Sequence, residues 1–386
     1  MGKNDANPQA LWLARRPAMP ICRDWAYFDH AAVAPLPLPT KEAIHHWLEQ
    51  ATFAGDTVWP EWAAAVEGTR RIAAELVNAQ PSEIALVPST TFGLNMIARG
   101  LSWQAGENVV IPENEFPSNA YAWLSLQELG VETRRVAVPQ GRLAIEQLLN
   151  ACDEKTRLIA VSWVGYVSGW RVDVAELCAA AHARGIPVML DAIQGLGVFP
   201  LDVAATQLDF FAADGHKWML GPEGAGLFYV RQDWLPRLRS VMAGWNSVVG
   251  RYDFHTIHWQ PRKEAARYEG GSQNMSGMIG LGASLQLLKS WGLTSQDSPI
   301  AEQILSLTRF AQRELLAAGA EMLSPAEPGH DSGILTFRVP GEEAMVFRER
   351  CLREKIVVSV RGGGVRISPH AYNTQEEVAR LVALIR

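Results

Sequence analysis

A lysine at position 217 follows a short apolar run in the middle of the chain, an uncommon place for a cation. The run 210–213, Phe-Phe-Ala-Ala, predicts a buried strand, and the sequence DGHKW at 214–218 comes directly after it. Because burial disfavours an ammonium ion, it favours the neutral, nucleophilic amine at such a position. A neutral amine can form a Schiff base with an aldehyde. The alternative is an ordinary surface lysine, and Lys217 taken alone does not decide between the two.

A carboxylate lies at the end of a second predicted strand. The run IPVML at 186–190 is followed by Asp191, with Gln194 just beyond. Open parallel sheets place their ligand crevice at the carboxyl ends of the strands. An acid and a lysine at neighbouring strand ends are what pyridoxal phosphate (PLP) needs, since the lysine binds the aldehyde and the acid keeps the pyridine nitrogen protonated. Asp191 alone could equally be a helix N-cap.

The sequences DAIQ at 191–194 and DFFAADGHKW at 209–218 resemble class V of the fold-type I PLP-dependent enzymes. That class includes cysteine desulfurases, selenocysteine lyases and isopenicillin-N-epimerase-like proteins. The resemblance extends from YFDHAA at 27–32 to YNT at 372–374. It implies an α/β fold with a mostly parallel seven-stranded sheet, helices on both faces and a small α+β C-terminal domain. The large PLP-binding domain is expected at 36–285, and the small domain at 1–35 and 286–386.

A strand, a hydroxyl-rich turn and a helix follow one another at 83–100, which predicts an anion site. The free N–H groups and the dipole of a helix N-terminus attract phosphate, although a plain N-cap has the same sequence. The resemblance places the PLP phosphate against Thr90 and Thr91, with His216 nearby. Asp214 departs from the family, which usually has Ser or Thr there. Because a carboxylate would repel a phosphate dianion, we expect Asp214 to orient His216 or a backbone turn.

The resemblance also implies contacts to the cofactor ring. Phe116 holds the position that stacks on the ring, and Tyr166 stands where desulfurases carry an asparagine bonded to the ring hydroxyl. Gln194 is expected to contact the same oxygen. Ser272, in RYEGGS at 267–272, resembles the residue that reaches the partner's phosphate across a dimer interface. The implied active form is a homodimer.

The resemblance implies substrate contacts for three residues and an assisting role for a fourth. His30 and Ala31 belong to a segment that lines the substrate side of the site, although His30 could instead be a structural histidine. Arg366 is implied to bind the α-carboxylate through a bidentate guanidinium, with Arg361 assisting. A surface arginine on a strand is the alternative for Arg366.

The sequence before Arg366 lacks the cysteine of the desulfurases. In those enzymes a mobile loop carries a nucleophilic cysteine, whereas this chain has three glycines at 362–364. Cys351 lies in the helical pattern FRERCLREK. We therefore place the chain in the non-desulfurase branch of the family.

The reaction is less specified than the cofactor. We expect a PLP-dependent enzyme acting on the α-amino group of an amino acid through Lys217, first as an aminotransferase. The alternatives are a C–S, C–Se or other β-elimination lyase and an amino-acid epimerase. A catalytically silent PLP-binding protein is disfavoured by the presence of Lys217, Asp191, Thr91 and Arg366. A nicotinamide dehydrogenase is disfavoured because no G-x-G-x-x-G follows the first strand.

The composition of the chain limits the classes of partner that it is expected to bind. The chain has 386 residues and a formal net charge of −6 with no basic cluster, which argues against nucleic acid or an anionic membrane. No apolar run is long enough to span a membrane, and the first residues lack the apolar core of a signal peptide. The cysteines are scattered without metal-ligand spacing, as in a cytoplasmic protein. Helices are predicted at 40–53, 62–78, 174–184 and 278–291, and further strands at 108–111, 131–138, 157–164, 333–339 and 357–360.

Overall fold

A seven-stranded sheet forms the centre of the molecule in the computed structural model, which describes residues 13–385. Its strands are β2 (Ile84–Val87), β3 (Asn108–Pro112), β4 (Glu132–Val136), β5 (Thr156–Ser162), β6 (Val188–Asp191), β7 (Phe210–Asp214) and β8 (Gly226–Val230). Their order across the sheet is β2-β8-β7-β6-β5-β3-β4. Only β8 runs antiparallel to its neighbours, so the predicted mostly parallel sheet is confirmed.

The strand sequences are apolar on both faces because both faces of the sheet are covered. In β7, Phe211 and Ala213 belong to one hydrophobic cluster, whereas Phe210 and Ala212 belong to the cluster on the other face. Alternate residues of a strand point to opposite faces, so a continuous apolar run fits a sheet between two helical layers. This packing fixes the carboxyl ends of β6 and β7.

Helices cover both faces and connect the strands. They are α1 (Leu38–Phe53), α2 (Trp59–Leu76), α3 (Thr90–Gly100), α4 (Pro117–Leu124), α5 (Ile145–Asn150), α6 (Val174–His182), α7 (Val203–Thr206), α8 (Met275–Ser290), α9 (Pro299–Ala317), α10 (Ala344–Arg353) and α11 (Gln375–Val382). Gly93 lets α3 lie close to the sheet, since a Cβ there would be 2.5 Å from the Cβ of Ala212 in β7. The N-terminus of α3 is thereby held beside the end of β7.

A smaller antiparallel sheet follows in the C-terminal part. Its strands are β9 (Glu321–Met322), β10 (Leu335–Arg338), β12 (Ser359–Arg361) and β13 (Gly364–Ile367), in the order β12-β13-β10-β9. The N-terminal strand β1 (Ala26–Tyr27) pairs with β11 (Ile356–Val357), and Asp29 bridges to Ser368. The chain before α1 thus joins the C-terminal part. The exact limits of the two domains stay a prediction.

The helix and strand predictions hold with shifted ends. The helix predicted at 62–78 begins at Trp59, because Pro60 suits the first turn of a helix, where no N–H donor is needed. The strand predicted at 357–360 is two short strands, β11 and β12, which belong to different sheets. None of the helices between residues 13 and 385 is long and apolar enough to cross a membrane.

Candidate active site

Lys217 and Asp191 meet at the carboxyl end of the large sheet. Asp191 is the last residue of β6, and β7 pairs with β6 through Asp191 and Ala212. Lys217 follows three residues after the end of β7. Parallel strands bring their carboxyl ends to one edge, so both side chains lie in the crevice that the sequence predicted.

The Lys217 amine is set up to be a base. Its residue is 8 % exposed, and burial lowers the pKa of the ammonium to about 8, helped by the positive charges of Arg366 and Arg361. The carboxylates of Asp191 and Asp214 act in the opposite direction on this pKa. At pH 7 about a tenth of the amine is therefore free of its proton, far more than for an ordinary lysine, as nucleophilic and base chemistry require.

Asp191 is buried and only partly paired. It is 2 % exposed, and burial raises the pKa of its carboxyl to about 6, against the effects of the Ile193 N–H and of Lys217. The N–H of Ile193 donates to Oδ1 at 3.1 Å. At neutral pH Asp191 is thus a buried carboxylate, a group that favours a cationic hydrogen-bond donor beside it.

The N-terminus of α3 offers an anion site. Ser89 caps the helix by accepting a hydrogen bond from Phe92 N, and the N–H groups of Thr90 and Thr91 have no acceptor within the helix. Thr90 Oγ1 accepts from Asp214 N at 2.9 Å, which ties the helix end to the end of β7. Thr91 is exposed, and its hydroxyl donates to Ser118 Oγ.

Asp214 faces His216, as the sequence indicated. Asp214 Oδ1 lies 3.1 Å from His216 Nδ1, and neither atom has a well-aligned hydrogen-bond partner among the described residues. The carboxylate is therefore turned toward the imidazole. The predicted phosphate set stays at Thr90, Thr91 and His216.

An aromatic pair covers the crevice. The Phe116 ring centroid lies 5.4 Å from Lys217 Nζ, and the Phe116 and Tyr166 rings meet edge to face at 5.3 Å. Phe116 is 40 % exposed, which is unusual for phenylalanine and leaves a ring face for a ligand.

The Gln194 side chain makes more hydrogen bonds within the protein than we expected. Its Oε1 accepts from Trp218 Nε1 at 2.7 Å, and its Nε2 donates to the Ala31 carbonyl at 3.0 Å. One amide hydrogen remains for the predicted cofactor contact. Gln194 therefore also positions Trp218, the residue next to Lys217.

Arg366 is buried in a network of acceptors. It donates to Ser359 Oγ, to the Tyr166 carbonyl at 2.8 Å and to Asp29 Oδ1 at 3.2 Å. Ser359 Oγ in turn donates to Asp29 Oδ1 at 2.8 Å. Three of its five N–H groups are used, so two remain for an α-carboxylate. The surface alternative for Arg366 is wrong, because the residue is 1 % exposed.

Replacing Arg366 by glutamine is expected to raise KM for the amino acid about 10- to 100-fold, the size of a lost charge-assisted hydrogen bond. The kcat should change less than KM, because the hydrogen bonds of Arg366 go to neither Lys217 nor Asp191, and its charge is only one of several that act on the pKa of Lys217. Steady-state kinetics would measure this, with Arg353→Gln, an exposed arginine of α10, as the control. An unchanged KM would contradict the assignment.

His30 and Ala31 are bonded within the protein. His30 Nδ1 lies 2.8 Å from the Ser368 carbonyl and must donate to it, so Nε2 accepts from the Tyr372 hydroxyl at 2.6 Å. Burial lowers the pKa of the His30 imidazole to about 4, which keeps it neutral. Ala31 N donates to Ser368 Oγ. Neither ring nitrogen of His30 remains for a substrate, so the structure favours the structural alternative for His30. Substrate contacts of Ala31 stay a prediction.

Ser272 is not part of this crevice within one chain. It is exposed and lines a separate cavity of about 140 Å³ with Trp59, Trp245 and Tyr252. Its predicted contact with a partner's site stays a prediction.

Sequence reasoning missed Glu115, directly before Phe116. Its carboxylate accepts from Ser162 N at 2.7 Å and bonds to Ser162 Oγ, and Ser162 pairs with Asp191 across β5 and β6. Burial raises the pKa of Glu115 to about 7, against the hydrogen bonds from Ser162 and with a smaller contribution from Asp191. Its place between the proposed ring-stacking residue and a strand end was the available signal.

Because the pKa of Glu115 is higher in the folded than in the unfolded chain, its effect on stability depends on pH. The stabilisation by protonated Glu115 is fully present below pH 4.5, the pKa of the group in the unfolded chain. It is lost as pH rises through about 7, the pKa of the group in the folded chain. As pH rises from 5 to 7.5, we expect the free energy of unfolding of Glu115→Gln to increase by about 2–3 kcal/mol relative to that of the wild type. Melting temperatures across that range would show this, with the exposed Glu128→Gln as control. Parallel pH curves for wild type and Glu115→Gln would refute it.

The donors in the crevice fit pyridoxal phosphate. A buried amine with a lowered pKa, a buried carboxylate with room for a cationic donor, unpaired helix N–H groups and an open aromatic face match its aldehyde, ring nitrogen, phosphate and ring. Among residues 13–385 no cluster of three metal-ligating side chains competes with this site.

The sequence matches the family model described as Aminotransferase class-V over residues 26–381. The chain belongs to the class V aminotransferase family. A probable cysteine desulfurase of Methanothermobacter thermautotrophicus is 31 % identical, with 94 % of this chain and 94 % of that protein aligned. A cysteine desulfurase of Escherichia coli is 30 % identical over 92 % of this chain and 91 % of that protein.

Solved structures of C-DES show the same fold at low identity. A mutant with glycine linked covalently to the PLP cofactor superposes with a TM-score of 0.88 at 23 % identity, covering 96 % of this chain and 98 % of that chain. A complex of C-DES, there called a cystine C–S lyase, with its product cysteine persulfide has a TM-score of 0.86 at 23 % identity, over 94 % and 97 % of the two chains. Family membership confirms the fold-type I assignment and the PLP cofactor predicted from the sequence.

Proposed function

We propose that this class V protein is a PLP-dependent lyase that breaks a carbon–sulfur bond at Cβ of an amino acid. The relatives support this alternative from the sequence better than transamination, our first expectation, because they are named for carbon–sulfur chemistry. The observation that carries the proposal is the combination of the Lys217–Asp191 pair with a site mouth that has no cysteine.

The mouth is closed by a tight hairpin between β12 and β13. Arg361 pairs with Gly364, so the turn consists of Gly362 and Gly363, whose φ angles are +56° and +72°. Such angles suit a two-residue turn of glycines. A Cβ on Gly362 would lie 2.4 Å from Cγ1 of Val167, beside Tyr166. The turn is only two residues long and contains no cysteine.

The cysteines lie elsewhere. Cys178 and Cys351 are buried in the hydrophobic clusters, and Cys22 and Cys152 are half-buried. Burial raises the pKa of the Cys22 thiol to about 11 and that of Cys178 to about 12, so neither is a ready nucleophile. The sulfur is therefore proposed to leave as a small molecule rather than as a persulfide on this chain.

The residues of the site divide the work of elimination. PLP, when bound, supplies a conjugated ring that takes up the electron pair left when the Cα–H bond breaks. Lys217 would anchor the cofactor and, as the free amine, would accept the α-proton on Nζ. Asp191 would keep the ring nitrogen protonated, and Phe116 would offer its face to the ring. The helix amides of Thr90 and Thr91, with His216, bind the phosphate.

The substrate is held by Arg366 through its α-carboxylate. The Cβ–S bond then breaks, with the bonding electrons leaving on sulfur. For cysteine the net reaction consumes one water and gives pyruvate, ammonia and hydrogen sulfide. Tyr166, whose ring lies against Phe116, can donate a hydrogen bond to the ring hydroxyl of the cofactor.

The same proposal includes a homodimer in which Ser272 reaches the partner's phosphate site. It is supported by exposed aromatic side chains near Ser272, namely Trp245, Tyr252 and Phe254. Large exposed apolar surface of this kind is typical of association surfaces. Sedimentation would test the dimer, and a monomeric active holoenzyme would refute it.

The function is tested by incubating the holoenzyme with L-cysteine, L-cystine and β-chloro-L-alanine and measuring pyruvate, ammonia and sulfide. We expect pyruvate in stoichiometric amounts with ammonia. The double variant Cys22→Ser/Cys152→Ser should keep the activity within about twofold, since neither thiol takes part. Formation of alanine from cysteine, or of a 2-oxo acid with the pyridoxamine form of the cofactor, would contradict the lyase assignment.

A further inference from the structure

Two arginines lie on one face of the β12–β13 hairpin. Ser359 pairs with Arg366, and the Ser359 hydroxyl contacts the Arg366 guanidinium. Arg361 is two residues after Ser359 in the same strand, so its side chain leaves the strand on the same face. The two side chains therefore start roughly 7 Å apart along this face, with Arg361 nearer the tip.

The two guanidinium groups have different surroundings. Arg366 is buried and is tied by Asp29, Ser359 and the Tyr166 carbonyl. Arg361 is exposed, and its described hydrogen bond goes to the carbonyl of its own neighbour Val360 at 2.8 Å. No carboxylate between residues 13 and 385 lies within ion-pair distance of Arg361, whereas Arg366 has Asp29.

The charge of Arg361 acts on the amine of Lys217, although the Arg361 side chain is exposed. Its charge contributes to lowering the pKa of both Lys217 and Arg366. Asp29 offsets the charge of Arg366, whereas Arg361 has no carboxylate within ion-pair distance among the described residues. An anionic group of a bound molecule would supply a counterion.

The neighbouring side chains described below supply no counterion for Arg361. Arg338 of β10 lies near the same tip and donates to the Gly363 carbonyl at 3.3 Å, which adds positive rather than negative charge. Val167 and the glycine turn supply no acidic side chain. The mouth of the site is therefore cationic beyond the place of the α-carboxylate.

We propose that Arg361 is a specificity-determining residue that selects amino acids whose β-substituent is linked through sulfur and ends in a negatively charged group. This deepens the proposed function and rests on it for the reaction, but not for the recognition. Arg366 binds the α-carboxylate, and Arg361 binds the distal anion. In the elimination the α-proton goes to Lys217 Nζ, the Cβ–S bond breaks, and the anionic thiol leaves with the bonding electrons.

The test uses a matched pair of ligands, S-carboxymethyl-L-cysteine and its neutral isostere S-carbamoylmethyl-L-cysteine. Elimination consumes one water and would convert the first ligand to pyruvate, ammonia and mercaptoacetate. The second ligand would give pyruvate, ammonia and mercaptoacetamide. Binding is measured with the holoenzyme from the change in cofactor absorbance, and turnover from pyruvate. The variants are Arg361→Gln, Arg338→Gln and, as a remote control of equal charge change, Arg353→Gln.

We expect the wild type to bind the carboxylate about tenfold more tightly than the amide, as one partly exposed charge-assisted bond allows. Arg361→Gln should bring this ratio close to one while changing the affinity for the amide less than about threefold. Arg338→Gln and Arg353→Gln should keep the ratio.

A wild-type ratio near one, an equal loss for both ligands in Arg361→Gln, or a loss confined to Arg338→Gln would each overturn the assignment of Arg361. The absorbance readout separates this result from the reaction. If the ratio depends on Arg361 but no pyruvate forms from either ligand, recognition stands and the lyase function fails. If pyruvate forms without preference, the lyase function stands and the role of Arg361 fails.

Discussion

Lys217→Ala is expected to lower the rate of elimination by at least about 10⁴-fold. Loss of a positioned general base alone costs about 10²- to 10⁴-fold, and the variant also loses the covalent anchor. No other lysine is placed to take over, because the amine of Lys217 alone stands between Phe116 and the end of β6 among the described residues. The measurement is pyruvate release with cofactor added in excess, together with the visible spectrum.

The matched control is Lys289→Ala on α8, which removes an ion pair with Glu75 of α2. This variant should keep wild-type turnover. Lys217→Ala should still bind the cofactor through the helix amides and Phe116, so its far-ultraviolet spectrum and melting temperature should stay close to those of the wild type. Turnover within about tenfold of the wild type would contradict the role of Lys217 as base.

Asp191→Asn is expected to have the next largest effect, a loss of about 10²- to 10³-fold in kcat. The amide has almost the volume of the carboxylate but no charge with which to keep the ring nitrogen protonated, and the ring then accepts electrons poorly. Burial raises the pKa of Asp191 to about 6, and a protonated ring nitrogen beside it would lower that pKa, so the carboxylate form is lost only as pH falls below 6. The wild-type kcat should decline on the acid side of that pH.

The pH profile separates this role from a structural one. In Asp191→Asn the acid limb of the kcat profile should disappear, whereas the exposed Asp56→Asn should keep both the rate and the limb. A wild-type rate in Asp191→Asn, or an unchanged acid limb at a reduced rate, would show that Asp191 does not support the ring nitrogen.

The elements that position the site were predictable because their sequences are locally consistent. The run 210–213 is apolar at every residue because both sheet faces are covered, and the polar residues that follow mark the strand end. The hydroxyl-rich turn before α3 could be placed for the same reason. The Lys217–Asp191 pair followed from the rule that parallel strands share one carboxyl edge.

Contacts between distant segments were not predictable from spacing. Gln194 is bonded to Trp218 and Ala31, and His30 to Ser368 and Tyr372, across up to 342 positions of sequence. A side chain with a polar end has the same local signal whether it faces a ligand or a protein partner. This is why the substrate role expected for His30 came with a structural alternative, and why Asp29, the partner of Arg366, was missed.

Whether Lys217 carries the cofactor in this crevice can be tested by locating the cofactor on the chain. Purified holoenzyme is treated with borohydride to fix the link between amine and cofactor, digested and analysed by mass spectrometry. The account predicts one reduced phosphopyridoxyl group, on Lys217. A cofactor fixed to another lysine, or no fixed cofactor in protein saturated with PLP, would contradict it.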